Sequence, residues 1–383
     1  MSAPRLRLAY DATACLGPRT GVGVFTEEVL AQLSARDDVE VTAYAVTWSG
    51  RGRLATVVPA GVRAATRPMA ARPLREVWRR AEVPPIEWWT GPVDVVHGPN
   101  FVVPPARHAA RIATVHDLTP VHFPELCNAD TLAYPGLIRR ALKGGAWIHT
   151  PSQHIADEVV EAFGADPDRV VAIPNGVSDL GPDAPGRDAE AGRQLAGTAR
   201  YVLALGTIEP RKDFPLLVAA FDELAATHAD IRLVVAGLDG WGVDDFARAL
   251  ARATHAARIT RLGWVGPDER AALLRGATVL AYPSRYEGFG LPPLEAMSAG
   301  VPVVATDAGA LPEVLGDAAD LVPVGSSLTP ARRAEALAAA LARVLDDDTH
   351  RAHLIAAGRE RAARYSWSAT ATGLLDLYRR AAG

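Results

Sequence analysis

Ala281–Thr306 reads AYPSRYEGFGLPPLEAMSAGVPVVAT, and the fold follows from how this stretch divides. Val279, Leu280, Ala281 and Tyr282 form a short apolar run of the kind that makes a buried strand, and Val301 to Ala305 form a second. Between them, Pro292 or Pro293 is placed to start a helix, because the N–H that proline lacks has no intrahelical partner in the first turn. Gly300 is placed to end that helix. The unit is therefore strand, glycine-rich loop, short helix, strand.

The loop carries chemistry as well as geometry. Glu287 and Glu295 stand with seven residues between them, and Gly288 and Gly290 lie in that interval. Backbone N–H groups from Glu287 to Leu291 gather at the loop and the helix start, where the helix dipole adds positive charge. Glycine lets a phosphate approach that backbone closely. Two carboxylates beside an anion site are poor phosphate ligands, but they accept hydrogen bonds from hydroxyls. A ligand with hydroxyls on both sides of a diphosphate satisfies the whole pattern, and a nucleotide sugar is such a ligand. The competing reading is a surface loop with two solvated acids, Glu295 serving only to favour a helix N-terminus.

This block resembles the Glu-x7-Glu motif of the retaining glycosyltransferases of family 4, and the resemblance runs along nearly the whole chain. It implies the α/β GT-B fold, two doubly wound Rossmann-like domains facing across a cleft. It also implies that Glu287 contacts sugar hydroxyls, that Glu295 contacts the ribose, and that Gly288, Phe289, Gly290 and Leu291 hold sugar and phosphate through their backbone.

Length and composition agree with two domains. At 383 residues the chain exceeds one ordinary core. About half of it is apolar, and a net charge of −4 gives no overall signal for nucleic acid. Cys15 and Cys127, far apart in sequence, suggest neither a disulfide framework nor a metal site and fit a reducing cytosol. The N-terminus opens on a charged strand (Arg5, Arg7) without the apolar core of a signal peptide, and no apolar run is long enough to span a bilayer. Abundant Ala, Arg, Gly and Pro suggest a bacterial genome rich in G and C. The expectation is a cytoplasmic protein, with an option of peripheral attachment at the inner face of a membrane.

In the first half, Leu6 to Tyr10 reads as the first strand of a parallel sheet. The loop Gly17 to Gly23 and a helical periodicity from Val24 to Ser34 follow, a phosphate-binding arrangement. Gly21 and Gly23 match the family's loop near donor phosphates and acceptor; the alternative is a tight turn that needs positive φ. Between 63 and 89, Arg63, Arg67, Arg72, Arg75, Arg79 and Arg80 interleave with Trp78, Trp88 and Trp89. That composition suits an anionic membrane surface or an anionic acceptor, or else an arginine-rich helix face with tryptophans packed inward. A strand from Arg111 to Val115 ends in His116-Asp117, at the end of the sheet that faces ligands. The resemblance puts His116 beside the donor sugar. Asp117 orients that imidazole or the acceptor, or caps the next loop. Domain one is expected over 1–180, with a linker from Ser178 to Ala199 and a last helix, 368–383, packing back on it.

The second domain, 181–367, has a strand from Tyr201 to Leu205 followed by Thr207-Ile208-Glu209-Pro210-Arg211-Lys212-Asp213. Arg211 supplies a planar fork of donors and Lys212 a point charge, suited to a diphosphate and to the charge that grows on it as it leaves. The alternative is two solvated cations. The family carries an Arg-Lys pair at this place and uses it on the donor diphosphate. By the same resemblance Trp264 and Val265 hold the nucleotide base, although Trp264 also suits a core position. Helices close the domain over 330–345 and 349–364. No Asp-x-Asp motif stands at a strand end, so the expectation is transfer without metal or cofactor.

The expected activity is retaining transfer of a hexosyl group from a nucleotide sugar to a hydroxyl of a glycan, glycolipid or small metabolite. The GTIEPRKD wording, residues 206–213, resembles mannosyl-transferring members that use GDP-mannose. The alternatives are a sugar-nucleotide 2-epimerase on the same fold, a dehydrogenase, and a non-catalytic sugar-nucleotide sensor. Against the dehydrogenase, no G-x-G-x-x-G follows the first strand.

Overall fold

The computed structural model describes residues 5–178, 180, 187–324 and 328–383. The chain forms two compact units. One comprises Met1–Pro124, Ala129–Gly176 and Ser366–Gly383; the other comprises Glu125–Asn128 and Val177–Tyr365.

The first unit is built on a parallel sheet of β1 (Leu6–Asp11), β2 (Val39–Tyr44), β3 (Arg63–Ala64), β4 (Val95–Gly98), β5 (Ala110–Thr114), β6 (Trp147–Thr150) and β7 (Val170–Ala172). Their order is β3-β2-β1-β4-β5-β6-β7, so the winding reverses between β1 and β4. The helix Trp367–Ala382 packs on the helix Gly21–Ser34 and on β4 and β5, burying Leu374, Leu375 and Tyr378. The tryptophans of 63–89 divide. Trp78, on the helix Ala71–Arg80, is 1% exposed and donates to the Pro84 carbonyl at 3.0 Å, whereas Trp88 is 57% exposed. Arg63 donates to Thr42 and to the Thr90 carbonyl, and Arg80 pairs with Glu76. The side chains of Arg72, Arg75 and Arg79 lie outside the described residues.

The second unit carries β8 (Tyr201–Leu205), β9 (Arg232–Ala236), β10 (Ile259–Gly263), β11 (Val279–Tyr282), β12 (Val303–Thr306) and β13 (Asp320–Val322), in the order β10-β9-β8-β11-β12-β13, all parallel. Strands of a sheet covered on both faces are apolar at every position. Alternate residues accordingly feed two cores. Val202, Ala204, Val235, Val279, Ala281 and Val304 join one. Leu203, Leu205, Val234, Leu280, Val303 and Ala305 join the other. The winding reverses between β8 and β11, the position where open α/β sheets bind ligands beyond their carboxyl ends.

The stretch expected as a linker differs from its reading. Residues 179 and 181–186 lie outside the described set, and Arg187–Ala196 is a helix. It packs on the helix Pro267–Gly276 so closely that a Cβ on Gly192 would stand 2.0 Å from the Ala272 carbonyl oxygen. Arg275 ties the pair by reaching Asp188 at 2.6 Å. This helix is specified by a partner 80 residues away rather than by its own apolar period, so local pattern did not expose it.

Candidate functional site

Two loops beyond the carboxyl ends of β8 and β11 meet at the reversal point of the second sheet. After β8 the chain passes Gly206 and Thr207 and winds into a tight turn, Pro210–Lys212, before the helix Phe214–Thr227. After β11 it forms the loop of Ser284 to Gly290 and enters the helix Leu291–Ser298. Gly290 occupies the N-cap with φ 97°, a conformation that glycine adopts without steric cost.

These loops bring Arg211, Lys212 and Glu287 together. Arg211 Nη1 stands 2.7 Å from Glu287 Oε2, and Lys212 Nζ 2.5 Å from Oε1. Lys212 also donates to the Tyr282 hydroxyl, with its ammonium 4.5 Å from that ring's centre. Arg211 Nη2 donates to Glu209 Oε1 at 2.7 Å and Nη1 to the Tyr286 carbonyl at 2.9 Å. Glu287 is only 6% exposed and Glu295 5%. The loop is therefore not a surface turn with solvated acids, and the two cations are not solvated either. Buried carboxylates persist when paired, and both are. Glu295 pairs with Arg270 of the helix Pro267–Gly276.

The electrostatics follow from this packing. Burial alone would raise the pKa of Glu287, but Arg211 and Lys212 outweigh it and bring the carboxyl down to about 2. Burial lowers the pKa of Lys212; Glu287 opposes that and Arg211 adds to it. The cluster is a balanced set of two acids, Glu209 and Glu287, around two bases, so its cations are held in place by charges that a stronger anion can displace. Gly309 supports the arrangement from the next loop. Its φ is 58°, and a Cβ there would lie 2.3 Å from the Glu287 carbonyl oxygen, which accepts from Ala310 N at 2.8 Å. Phe289 sends its ring into the core, edge-on to Tyr365, and so anchors the loop. Trp264, at the end of β10, is 54% exposed and is not a core residue; Val265 packs partly into the core.

The first unit holds the remaining expected residues. Gly21 and Gly23 lie in the first turn of the helix Gly21–Ser34, whose N-cap Thr20 accepts from Gly23 N; neither sits in a positive-φ turn. His116 has its Nε2 2.6 Å from the Pro99 carbonyl, which can only accept, so Nε2 carries the proton and Nδ1 is left as the acceptor. Burial lowers the pKa of His116 against the opposing pull of Pro99 and Asp117. Asp117 caps its own loop, accepting from Thr119 N at 2.9 Å. Phe25 stands edge-on to His116 and stacks on His149.

Behind Phe25 runs a buried chain that sequence reasoning did not anticipate. Tyr378 OH meets His97 Nδ1 at 2.7 Å, His97 Nε2 meets Thr114 Oγ1 at 2.7 Å, Thr114 Oγ1 meets His149 Nδ1 at 2.9 Å, and His149 Nε2 meets the Ile173 carbonyl at 2.9 Å. The carbonyl end accepts, so every proton points one way: tyrosine to His97, His97 to threonine, threonine to His149, His149 to carbonyl. Burial keeps both imidazoles neutral, lowering the pKa of His97 well below its ordinary value and that of His149 to about 3.

Sequence reasoning also missed Tyr282, Arg270, Asp213 and Arg285. One signal for the site was present in the composition: of the 40 lysines and arginines only two are lysine, Lys143 and Lys212. A chain that uses arginine almost everywhere has a lysine where a compact charge must fit between Glu287 and Tyr282. Among the described residues no group of three or more His, Cys, Asp or Glu side chains is placed to hold a metal ion, and no helix is long and apolar enough to cross a membrane.

The sequence model of the family described as Glycosyltransferase Family 4 matches residues 19–179, and that described as Glycosyl transferases group 1 matches residues 187–361. The chain is 33% identical over 290 residues to the O-antigen chain mannosyltransferase B of Escherichia coli, covering 74% of each. Its fold is similar to that of the sucrose-phosphate synthase of Thermosynechococcus elongatus, with a TM-score of 0.74 at 20% identity over 98% of this chain and 99% of that one. It is also similar to Anabaena HepE solved with UDP-glucose, with a TM-score of 0.71 at 16% identity over 97% and 98%.

Proposed function

Given that the chain belongs to glycosyltransferase family 4 and has the GT-B fold class, we propose that it is a retaining hexosyltransferase that uses a nucleotide sugar, with GDP-mannose as the leading donor. The observation that carries this reading is the buried Arg211–Glu287–Lys212 cluster at the reversal point of the second sheet. A diphosphate entering there competes with Glu287 for the two cations. Once displaced from them, Glu287 is free to accept from sugar hydroxyls, and Glu295, oriented by Arg270, accepts from the ribose. Support for the donor class comes from the fold shared with a chain that holds UDP-glucose, and support for mannose from the mannosyltransferase relative.

In the transfer step the bond from the anomeric carbon to the β-phosphate oxygen breaks while the acceptor hydroxyl oxygen bonds to that carbon from the same face. The hydroxyl proton passes to the leaving phosphate oxygen, and a nucleoside diphosphate departs. Arg211 and Lys212 stabilise its growing charge, an effect that is strongest where water is excluded. His116 is neutral, and its Nδ1 is able to accept from a substrate hydroxyl.

The test is a thermal-shift screen against UDP, GDP, ADP and dTDP and their common sugars, since a ligand that binds only the folded protein raises its melting point. A shift with GDP and GDP-mannose is expected, and Glu295→Ala should weaken it at least tenfold in affinity. No shift with any nucleotide would overturn the donor site, and a shift confined to another base would replace the mannosyl assignment.

A further inference from the structure

Asp213 departs from local rules in three ways. It is a non-glycine residue in left-handed backbone, at φ 46° and ψ 46°. Its carboxylate is buried. It also occupies the N-cap of the helix Phe214–Thr227, where an aspartate ordinarily accepts from first-turn N–H groups, yet it makes no such bond. Glycine or asparagine would adopt this backbone more readily, so the residue type answers to something other than the turn.

The carboxylate is turned to Arg285 instead. Asp213 Oδ2 accepts from Arg285 Nε at 2.8 Å, and the Arg333 guanidinium of the helix Pro330–Asp346 stands 3.8 Å away. Arg285 grips the same turn a second time, its backbone N–H donating to the Arg211 carbonyl at 2.8 Å. Arg211 returns the contact through Nη1 to the Tyr286 carbonyl. The turn that carries both cations is thus clamped to the loop that carries Glu287, and Lys212 is the residue immediately before the clamp. A lysine ammonium on a flexible stem keeps one position only when its backbone is held.

We infer that Asp213, gripped by Arg285, is a positioning residue whose carboxylate locks the left-handed turn and so sets Lys212 against Glu287, ready for the donor diphosphate. The role toward diphosphate rests on the nucleotide-sugar reading above; the clamp on Lys212 does not.

Asp213→Asn keeps the shape and tolerates the backbone while removing the charge. With the melting point near that of the parent protein, its kcat/KM for the donor should fall roughly tenfold. Arg285→Ala should match that loss and Arg285→Lys should recover part of it. In a Lys212→Ala background Asp213→Asn should add nothing, because both act through one ammonium. A full additive loss there would overturn the inference. A second readout is independent of turnover. With Lys143→Arg in place, Lys212 is the one remaining lysine, so a protein labelled with ¹³C at lysine Cε gives one side-chain signal. Asp213→Asn should shift that signal and its titration midpoint, and an unchanged signal would overturn the positioning role. A shifted signal in a protein that turns over no nucleotide sugar would sustain the clamp and remove the transferase reading alone.

Discussion

The two units solve the problem of a buried polar site in opposite ways. The second holds Arg211, Lys212, Glu209 and Glu287 as mutually cancelling ions. The first holds His97, Thr114, His149 and Tyr378 as a neutral chain that starts at the tyrosine hydroxyl and in which His97, Thr114 and His149 each accept once and donate once. The difference teaches which of the two is built to be opened. A charge cluster can exchange one partner for an incoming anion and remain balanced, whereas in the neutral chain every polar proton and both imidazole acceptors are already committed.

Four experiments sharpen or break that contrast. The largest effect is expected from Lys212→Ala, which should lower donor-dependent release of nucleoside diphosphate by about 100- to 1,000-fold, the scale seen when a preorganised donor to a developing charge is removed. Normal turnover would place Lys212 outside the reaction and make the ion cluster structural. Next is Thr114→Val in the first unit. It leaves His97 Nε2–H and His149 Nδ1 without partners, and urea melts should show a loss of about 2–6 kcal/mol, at about 1–3 kcal/mol for each of the two buried polar groups left unsatisfied. A neutral result would mean that the chain is dispensable.

The two sites should also fail at different acidities. His97 and His149 have folded pKa values below the ordinary 6.5, so below that pH unfolding takes up protons and their contribution to stability falls as pH declines toward 3. Glu287, lowered from 4.5 to about 2, contributes fully above 4.5 and loses its contribution only between those values. Hydrogen exchange followed from pH 7.5 down to 4 should therefore show β4, β5 and β6 losing protection before β8 and β11. Simultaneous loss, or the reverse order, would remove the distinction. The smallest effect, none, is expected from EDTA: we propose a transfer that needs no metal, and activity lost to EDTA and restored by Mn²⁺ or Mg²⁺ would replace that proposal.

The ionic site was far more legible in the sequence than the neutral one. Arg211, Lys212, Glu287 and Glu295 stand next to glycines and prolines that announce strand ends and helix starts, and such signals are local. The alternation of strand and helix is local as well, and with it the fold class. What stayed hidden depends on distant partners. Nothing within ten residues of His97 points to Tyr378, and Thr114 reads as an ordinary strand residue until both imidazoles flank it. Nothing near Arg270 in the sequence points to Glu295, 25 residues on, with which it pairs. Gly192 looked like linker until the Ala272 carbonyl filled the space where its side chain would be.

The discontinuous first unit bears on the timing of synthesis. Its sheet is complete in sequence by Ala172, yet Leu374, Leu375 and Tyr378 of its core come after all of Val177–Tyr365. A ribosome therefore synthesises the whole second unit before it supplies the helix that closes the first. While it waits, the first unit exposes the apolar surface which that helix will cover, and His97 Nδ1 has no tyrosine to meet. The unit begun first is finished last, and a nascent chain stalled before Ser366 should present the first unit unfinished to the cell's chaperones.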